Sequence, residues 1–308
     1  MKTFSLLLIL CVSFLLLAGC QKTATNDAKG GVAVTDADGK TVTVADSSRI
    51  VAVGTAVTET VYALGAGDRL AGVDNSSAEY LPPAAALPKV GPRTTLSAEG
   101  ILSLKPTLVI MNADSGPPAV VEQLRGAGIT VLTLTPNYTV ETVKSKIETI
   151  AKALGAEAKS KELTAAIDRD LSEVETLLEK KPSTPKVMFV GRGPNMPNAT
   201  MSGAGTTIDE MIRLAGGANP TRDFTGFREM TDEAVVAAQP DIILMTEKSF
   251  ERAGGIDGVL KFPGVALTPA GRNRRIVTVS DMYFQGFGPG VGKAVRELAV
   301  KLFPEFGK

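Results

Sequence analysis

Apolar residues along this chain follow two alternating rhythms. Short apolar runs at Arg49–Val53, Leu70–Val73, Thr107–Met111, Ile129–Leu134, Lys186–Val190, Asp241–Met245 and Ile276–Val279 are bounded by Gly, Pro, Asn or Asp, and each predicts a buried strand. Between them apolar residues return every three or four positions. That spacing predicts helices over about 57–64, 97–104, 120–126, 207–215, 232–238 and 290–302. Strand, helix and strand in repeated crossovers describe an α/β fold with largely parallel sheets. A hairpin precedes them, with valines at 32, 34, 42 and 44 around an Asp38-Gly39 turn. Asp36-Ala37-Asp38-Gly39 lacks the later ligands and distal Glu of a calcium loop, so it reads as turn chemistry.

Between these two series lies a long helical stretch. Val140, Val143, Ile147, Ile150 and Leu154 keep helical spacing up to Gly155, and Leu163, Ile167, Leu171, Val174 and Leu178 resume it until Pro182. A helix of about 22 residues spans roughly 33 Å, enough to bridge two lobes. A repeat on either side supports that reading. Ser97-Ala-Glu99 through Pro106 to Met111 matches Thr231-Asp-Glu233 through Pro240 to Met245, with Glu, Pro and Met at one constant offset. Glu59–Leu64 and Asp209–Leu214 form a second echo in the same order. The expected fold is therefore two similar α/β lobes with mainly parallel central sheets. Residues 32–157 form the first lobe, 158–181 a single long backbone helix and 182–308 the second lobe, with a ligand cleft between the lobes.

The N-terminus stands apart from this pattern. Lys2 is followed by a nearly unbroken apolar run from Phe4 to Leu17, too short for a stable membrane span. It ends in Leu17-Ala18-Gly19-Cys20, small residues before a cysteine, as a lipoprotein signal peptidase requires. Residues 1–19 are expected to be a signal peptide and Cys20 the lipidated first residue of the mature chain. Residues 20–31 would be a flexible tether to a membrane of the cell envelope, facing the periplasm or the extracellular side.

Composition removes several classes of function. Among the 308 residues there are 33 basic and 33 acidic side chains, which argues against nucleic-acid binding. There is no histidine and no tryptophan. Histidine-dependent triads and histidine-rich metal sites are excluded, and no nucleophile–base constellation points to an enzyme.

Loops beyond the strand C-termini are where such a cleft binds its ligand. In the first lobe they carry Tyr80 and Arg93, and in the second Arg192, Met196, Met201, Arg222 and Arg228. Of four tyrosines, Tyr62 has core spacing, Tyr138 stands at a helix start and Tyr283 lies in a late loop. Tyr80 has two readings: a loop residue packed on Pro82 or Pro83, or a hard oxygen donor to ferric iron. A free phenol ionises near 10, so ligation needs the metal or a nearby cation. Guanidinium groups suit carboxylates, and methionines suit an apolar face of a ligand, although both residue types are commonly plain surface and plain core. Glu99 and Glu233, matched at two helix starts, serve either the helix dipole or a symmetric partner. Gly288-Pro-Gly-Val-Gly-Lys293 lacks the first Gly and the Ser or Thr of a phosphate loop.

RIVAVG at 49–54, the Gly72-Val73-Asp74 to Tyr80 segment, KVG with LSAEGILSLKPTLVI at 89–110, MSGAGT with IDEMIRLAGGAN at 201–219 and GFGPGVGKAVRELA at 286–299 together resemble the haem-binding substrate-binding proteins of bacterial haem ABC importers. These belong to a helical-backbone class that also binds siderophores and cobalamin. The resemblance spans about residues 32–305. It implies haem as transported ligand, Tyr80 as axial iron ligand, Glu99 and Glu233 as docking points on a permease, and pocket positions at Arg93 and Arg228. It also implies ABC permease and ATPase partners and a monomeric protein. The Tyr80 loop is about one residue longer than the family's usual form. A ferric-siderophore or cobalamin receptor is the alternative on the same fold.

Overall fold

The computed structural model describes residues 30–136, 138–192, 198–282 and 287–307. The signal segment, Cys20 and Met196 lie outside the described residues. Residues 31–308 form one compact unit.

The chain opens with the hairpin of β1 (Val32–Thr35) and β2 (Thr41–Val44), with Val32 opposite Val44. The Asp36 carboxylate accepts the N–H groups of Asp38 and Lys40 and so closes the turn. Four parallel strands follow: β3 (Ile50–Val53), β4 (Leu70–Val73), β5 (Leu108–Asn112) and β6 (Thr130–Leu134), in the spatial order β4-β3-β5-β6. β3 and β4 are buried at every position, as expected of strands covered on both faces. Their crossovers carry α1 (Thr55–Ala63), α2 (Asn75–Tyr80), α3 (Ala98–Ser103) and α4 (Pro118–Gly126).

Two longer helices come next, α5 (Val140–Leu154) and α6 (Glu157–Leu178). Thr139 caps α5, and Gly155 ends it in the left-handed conformation that favours glycine. The second half contains β7 (Val187–Gly191), β8 (Thr200–Ser202), α7 (Thr207–Leu214), β9 (Phe227–Glu229), α8 (Asp232–Ala238), β10 (Ile242–Thr246), α9 (Glu247–Ala253), α10 (Gly255–Val259), α11 (Pro269–Arg272), β11 (Ile276–Val279) and α12 (Val291–Leu302). β7, β10 and β11 are parallel, as expected. β8 and β9 extend that sheet antiparallel in the order β11-β10-β7-β8-β9. They occupy stretches expected to be loops, because three-residue strands with exposed edges leave no readable alternation.

The internal repeat is visible in the backbone. Ser97 and Thr231 each accept a hydrogen bond at a helix start, from the N–H of Gly100 and of Ala234. The helices end in left-handed residues at matched positions, Lys105 (φ 49°) and Gln239 (φ 42°), each followed by proline. Leu108 and Ile242 then start equivalent strands. The Arg49 carbonyl accepts from Thr107 and Leu108, and the Lys186 carbonyl accepts from Asp241 and Ile242. Even the side chains correspond: Thr107 Oγ1 accepts the Arg49 N–H, and Asp241 Oδ2 accepts the Lys186 N–H.

Both bridging helices serve both halves. Ile150, Ala151 and Leu154 of α5 belong to the core under the first sheet, while Val143 and Ile147 belong to that of the second, with Ile167 and Val174 of α6. Leu163 packs against both cores. α1 is also tied to α12, since Gly290 donates its N–H to Glu59 Oε1 at 3.0 Å. Burial pushes the Glu59 carboxyl up to about 7, against the pull of that hydrogen bond.

Two tests follow from these contacts. A non-glycine residue pays about 1–2 kcal/mol in the left-handed region, which glycine avoids at the cost of greater chain entropy. Lys105→Gly should therefore raise unfolding free energy by about 0.5–1 kcal/mol in urea titrations. Gln239→Gly should gain less, because the Gln239 side chain also donates to the Val236 carbonyl at 2.7 Å. Glu59 concerns pH. Its folded value lies above its ordinary value near 4.5, so between the two the folded protein holds a proton that the unfolded chain has lost. Stability should fall as pH rises from about 4.5 to 7 and then level off, by at most about 3 kcal/mol from this group. Glu59→Gln, melted across the same pH range, should flatten that slope.

Candidate functional site

A cleft of about 360 Å³ lies between the C-terminal ends of the two sheets. From the first lobe it is lined by Gly54, Asp74, Tyr80, Arg93, Asn112 and Tyr138, with Lys146 from α5. From the second it takes Phe189, Arg192, Thr200, Ile208, Phe227 and Arg252, with Asp281. Phe189, Ile208 and Phe227 make an apolar surface, and Phe227 is 56% exposed, one of three exposed large apolar side chains among the described residues.

Tyr80 is held by a buried polar network. It ends α2, a helix rather than the expected loop. Asp74 caps this helix by accepting the Ser76 N–H, and it also accepts the Gly54 N–H at 2.8 Å and the Ser77 hydroxyl. Thr58 of α1 donates to Ser77 at 2.9 Å. Asp74 and Ser77 are fully enclosed, so the network fixes α2 against α1 and β3. On the far side Tyr62 donates to the Pro83 carbonyl at 2.8 Å and braces the chain after Tyr80.

A first charged group surrounds the half-buried Tyr80. Lys248 Nζ stands 4.6 Å from the centre of its ring. The neighbouring Glu79 pairs across the cleft with Lys248 at 3.4 Å and Arg252 at 3.8 Å. Burial, then the charges of Glu79 and Asp281, push the Tyr80 phenol above its usual value, while Arg252, hydrogen-bonded to it, pulls the other way. The phenol is therefore protonated and stands beside two cations.

A second group involves Arg93, Asp114, Tyr138 and Lys146. Arg93 is paired with Asp114 at 2.9 Å. Burial raises the Tyr138 phenol, with Asp114 adding to the effect and Arg93 opposing it. Burial also depresses Lys146 to about 8, against the attraction of Asp114. The Lys146 ammonium lies 5.8 Å from the Tyr138 ring. Among the described residues there is no cluster of Cys, Asp and Glu suited to holding a metal ion by itself.

Of the residues singled out in the sequence, Tyr80, Arg93 and Arg192 line the cleft. Two do not. Met201 is fully buried in the second-lobe core beside Met188 and Val190. Arg228, its cross-strand partner, is exposed, stacks on Phe224 at 4.1 Å and pairs with Asp223 at 3.4 Å. The reason is strand alternation, which turns Thr200 and Phe227 toward the cleft and the residues after them away from it. Arg222 pairs with the buried Asp209 and belongs to the support of α7. Glu99 and Glu233 stand outside the cleft. Both are exposed in a helix first turn, with no ion-pair partner among the described residues.

Sequence reasoning missed Tyr138, Lys146, Lys248, Arg252 and Asn112. Lys248 and Arg252 belong to α9, whose signal was the cap at Thr246 and the glycine pair 254–255 after it.

Comparison with known proteins agrees with this architecture. Residues 50–283 match the family model described as periplasmic binding protein. An uncharacterized ABC transporter substrate-binding lipoprotein, YvrC of Bacillus subtilis (strain 168), is 30% identical over 96% of both chains. A vitamin B12-binding protein of Vibrio cholerae is 28% identical over 65% of this chain and 71% of its own. Among solved structures, the periplasmic heme-binding protein RhuT from Roseiflexus sp. RS-1, in apo form, superposes with a TM-score of 0.78 at 37% identity, covering 84% of this chain and 99% of that one. These relatives are substrate-binding proteins and not enzymes. A two-lobed α/β body with a cleft between its sheets thus finds its place: the chain belongs to the periplasmic binding protein family, the substrate-binding components of ABC-type importers.

Proposed function

We propose that the protein captures haem in the cleft and delivers it to a membrane permease. The observation that carries this reading is the placement of Tyr80. Its phenol is brought by a buried network into a cleft of mixed polar and apolar lining and faces Lys248 and Arg252 from the opposite lobe. A phenolate suits ferric iron, and Arg252 is placed to stabilise that anion as the proton leaves. Phe189, Ile208 and Phe227 offer apolar surface to a flat ring. The 37% identity to the heme-binding protein RhuT adds weight.

On this reading Cys20 carries the lipid that keeps the protein in the cell envelope. No described helix is long and apolar enough to cross a membrane. Glu99 and Glu233, one exposed carboxylate at the matched helix start of each half, are the docking points for permease cations. The protein works as a monomer in this scheme. Cobalamin is the second reading, favoured by the similarity to vitamin B12-binding proteins.

Titration with ferric haem, cobalamin and ferric citrate, followed by absorption spectroscopy, separates these readings. Haem should bind saturably with a phenolate-to-iron charge-transfer band. Tyr80→Phe should lose the band and weaken haem at least about tenfold, about 1.4 kcal/mol. Saturable cobalamin or ferric-citrate binding without haem binding would replace the haem assignment.

A further inference from the structure

We propose that Glu79 is a built-in stand-in for an acid group of the ligand: it holds the two cations of α9, and a ligand carboxylate binds by taking its place. This rests on the haem reading, since haem carries two propionate carboxylates. It makes Glu79 a residue that sets affinity and selects for ligands with acid groups.

The cations are fixed without Glu79. Lys248 and Arg252 lie four residues apart on α9 and so share one face of the helix. Asp281, itself buried, accepts the Lys248 N–H at 3.0 Å. Thr246 caps the same turn by accepting the Ser249 N–H. Arg252 donates through Nη1 to the Arg192 carbonyl at 3.4 Å. All these bonds lie within the second lobe, so the pair of cations keeps its place when its partner in the first lobe changes.

The hold of Glu79 on them is loose. The same oxygen, Oε1, stands 3.4 Å from Lys248 Nζ and 3.8 Å from Arg252 Nη2. A charge-assisted hydrogen bond is about 2.7–2.9 Å long, a length that Arg93 and Asp114 do reach at 2.9 Å. The Glu79 side chain is also 44% exposed, so it can turn into water at little cost. A carboxylate that approaches these cations more closely therefore displaces it.

The place is also the right one. Glu79 directly precedes Tyr80 on α2, and Lys248 Nζ lies 4.6 Å from the centre of the Tyr80 ring. Arg252 lines the cleft with Tyr80 and Asp281. The cations thus stand beside the residue that would hold the iron. Lys248 and Arg252 are balanced by Glu79 and Asp281, two charges against two, so the set accepts one further carboxylate when Glu79 gives up its place. Asp281 stays, because it is buried and bonded to the backbone of α9. A neutral ligand edge offers the cations nothing in exchange and leaves Glu79 where it is.

The test compares ferric haem with its dimethyl ester, in which both carboxylates are masked, on wild type, Glu79→Gln and the double variant Glu79→Gln with Lys248→Gln. Dissociation constants come from absorption titrations at low and high salt, and thermal melts check folding. With the cations released, Glu79→Gln should bind haem about fivefold more tightly at low salt and leave the ester within about 1.5-fold of wild type. Wild type exchanges one ion pair for another, whereas Glu79→Gln gains a pair on binding, so its haem affinity should fall more steeply with salt. The double variant should lose most of the gain. Haem binding unchanged or weaker in Glu79→Gln, an equal change for haem and ester, or a gain that survives Lys248→Gln in full would overturn the proposal and leave the haem reading standing. Wild type binding neither ligand would overturn both.

Discussion

The cleft depends on one packing constraint: α5 and α6 bury apolar side chains in two cores at once. Ile147 and Ile150 are three residues apart on α5, yet the first lies in the core of the second sheet and the second in that of the first. Each fully buried isoleucine contributes about 2–3 kcal/mol, so neither lobe can drift from α5 without exposing one of them. α6 repeats the arrangement through Leu163, which touches both cores, and α12 covers it from the second lobe. The connection between lobes is therefore a packed part of both, unlike a flexible hinge loop. Lys146 gains its fixed place in the cleft from the same helix, because the residues on either side of it have no freedom to turn.

The two halves use one β-α-β plan and diverge where the chemistry lies. Their common parts are the capped short helix, the left-handed residue before proline and the carbonyl that receives two N–H groups at the strand start. These features set strand position and are tolerant of surface change. In the first half the strand that neighbours β3 is parallel and leads into α2, which presents Tyr80. In the second half the corresponding place beside β7 is taken by antiparallel β8, so β9 can bring Phe227 to the cleft. One lobe thus supplies the phenol, and the other supplies apolar surface and the cations on α9.

How far the sequence could be read followed from how long each signal persists. The long periodic helices α5 and α12 and the strands β4, β10 and β11 emerged within a residue or so of their expected ends, since each has a sustained apolar rhythm, while α6 ends at Leu178, three residues short of its expected end. The Tyr80 segment was expected to be a loop because a six-residue helix shows no period, although Asp74 before Asn75 was a usable cap signal. Met201 and Arg228 were expected in the pocket because a loop has no sides. Once those stretches are strands, alternation decides, and both residues turn away from the cleft. Tyr138, Lys146 and Arg252 were missed for a different reason. They become neighbours in the cleft only when segments far apart in the chain assemble, and no local pattern records that.

The protonation of Tyr80 bears on why a carrier would use it. Its phenol is raised by burial and by Glu79 and Asp281, and Arg252 only partly offsets them. On the haem reading, iron must displace that proton, and the cost of ionising a raised phenol is subtracted from the strength of the iron–oxygen bond. A fully ionised tyrosine would hold ferric iron more tightly and release it more slowly. Glu79 adds a second deduction, because its pairs with Lys248 and Arg252 span the cleft beside the same ring and compete with a ligand for those cations. Exposed pairs of this kind are worth little individually, so they moderate affinity without blocking entry. A binding site that must give up its cargo is served by such opposing terms: on the haem reading, the network beneath α2 would fix where the iron goes, and the charges around Tyr80 would limit how firmly it stays.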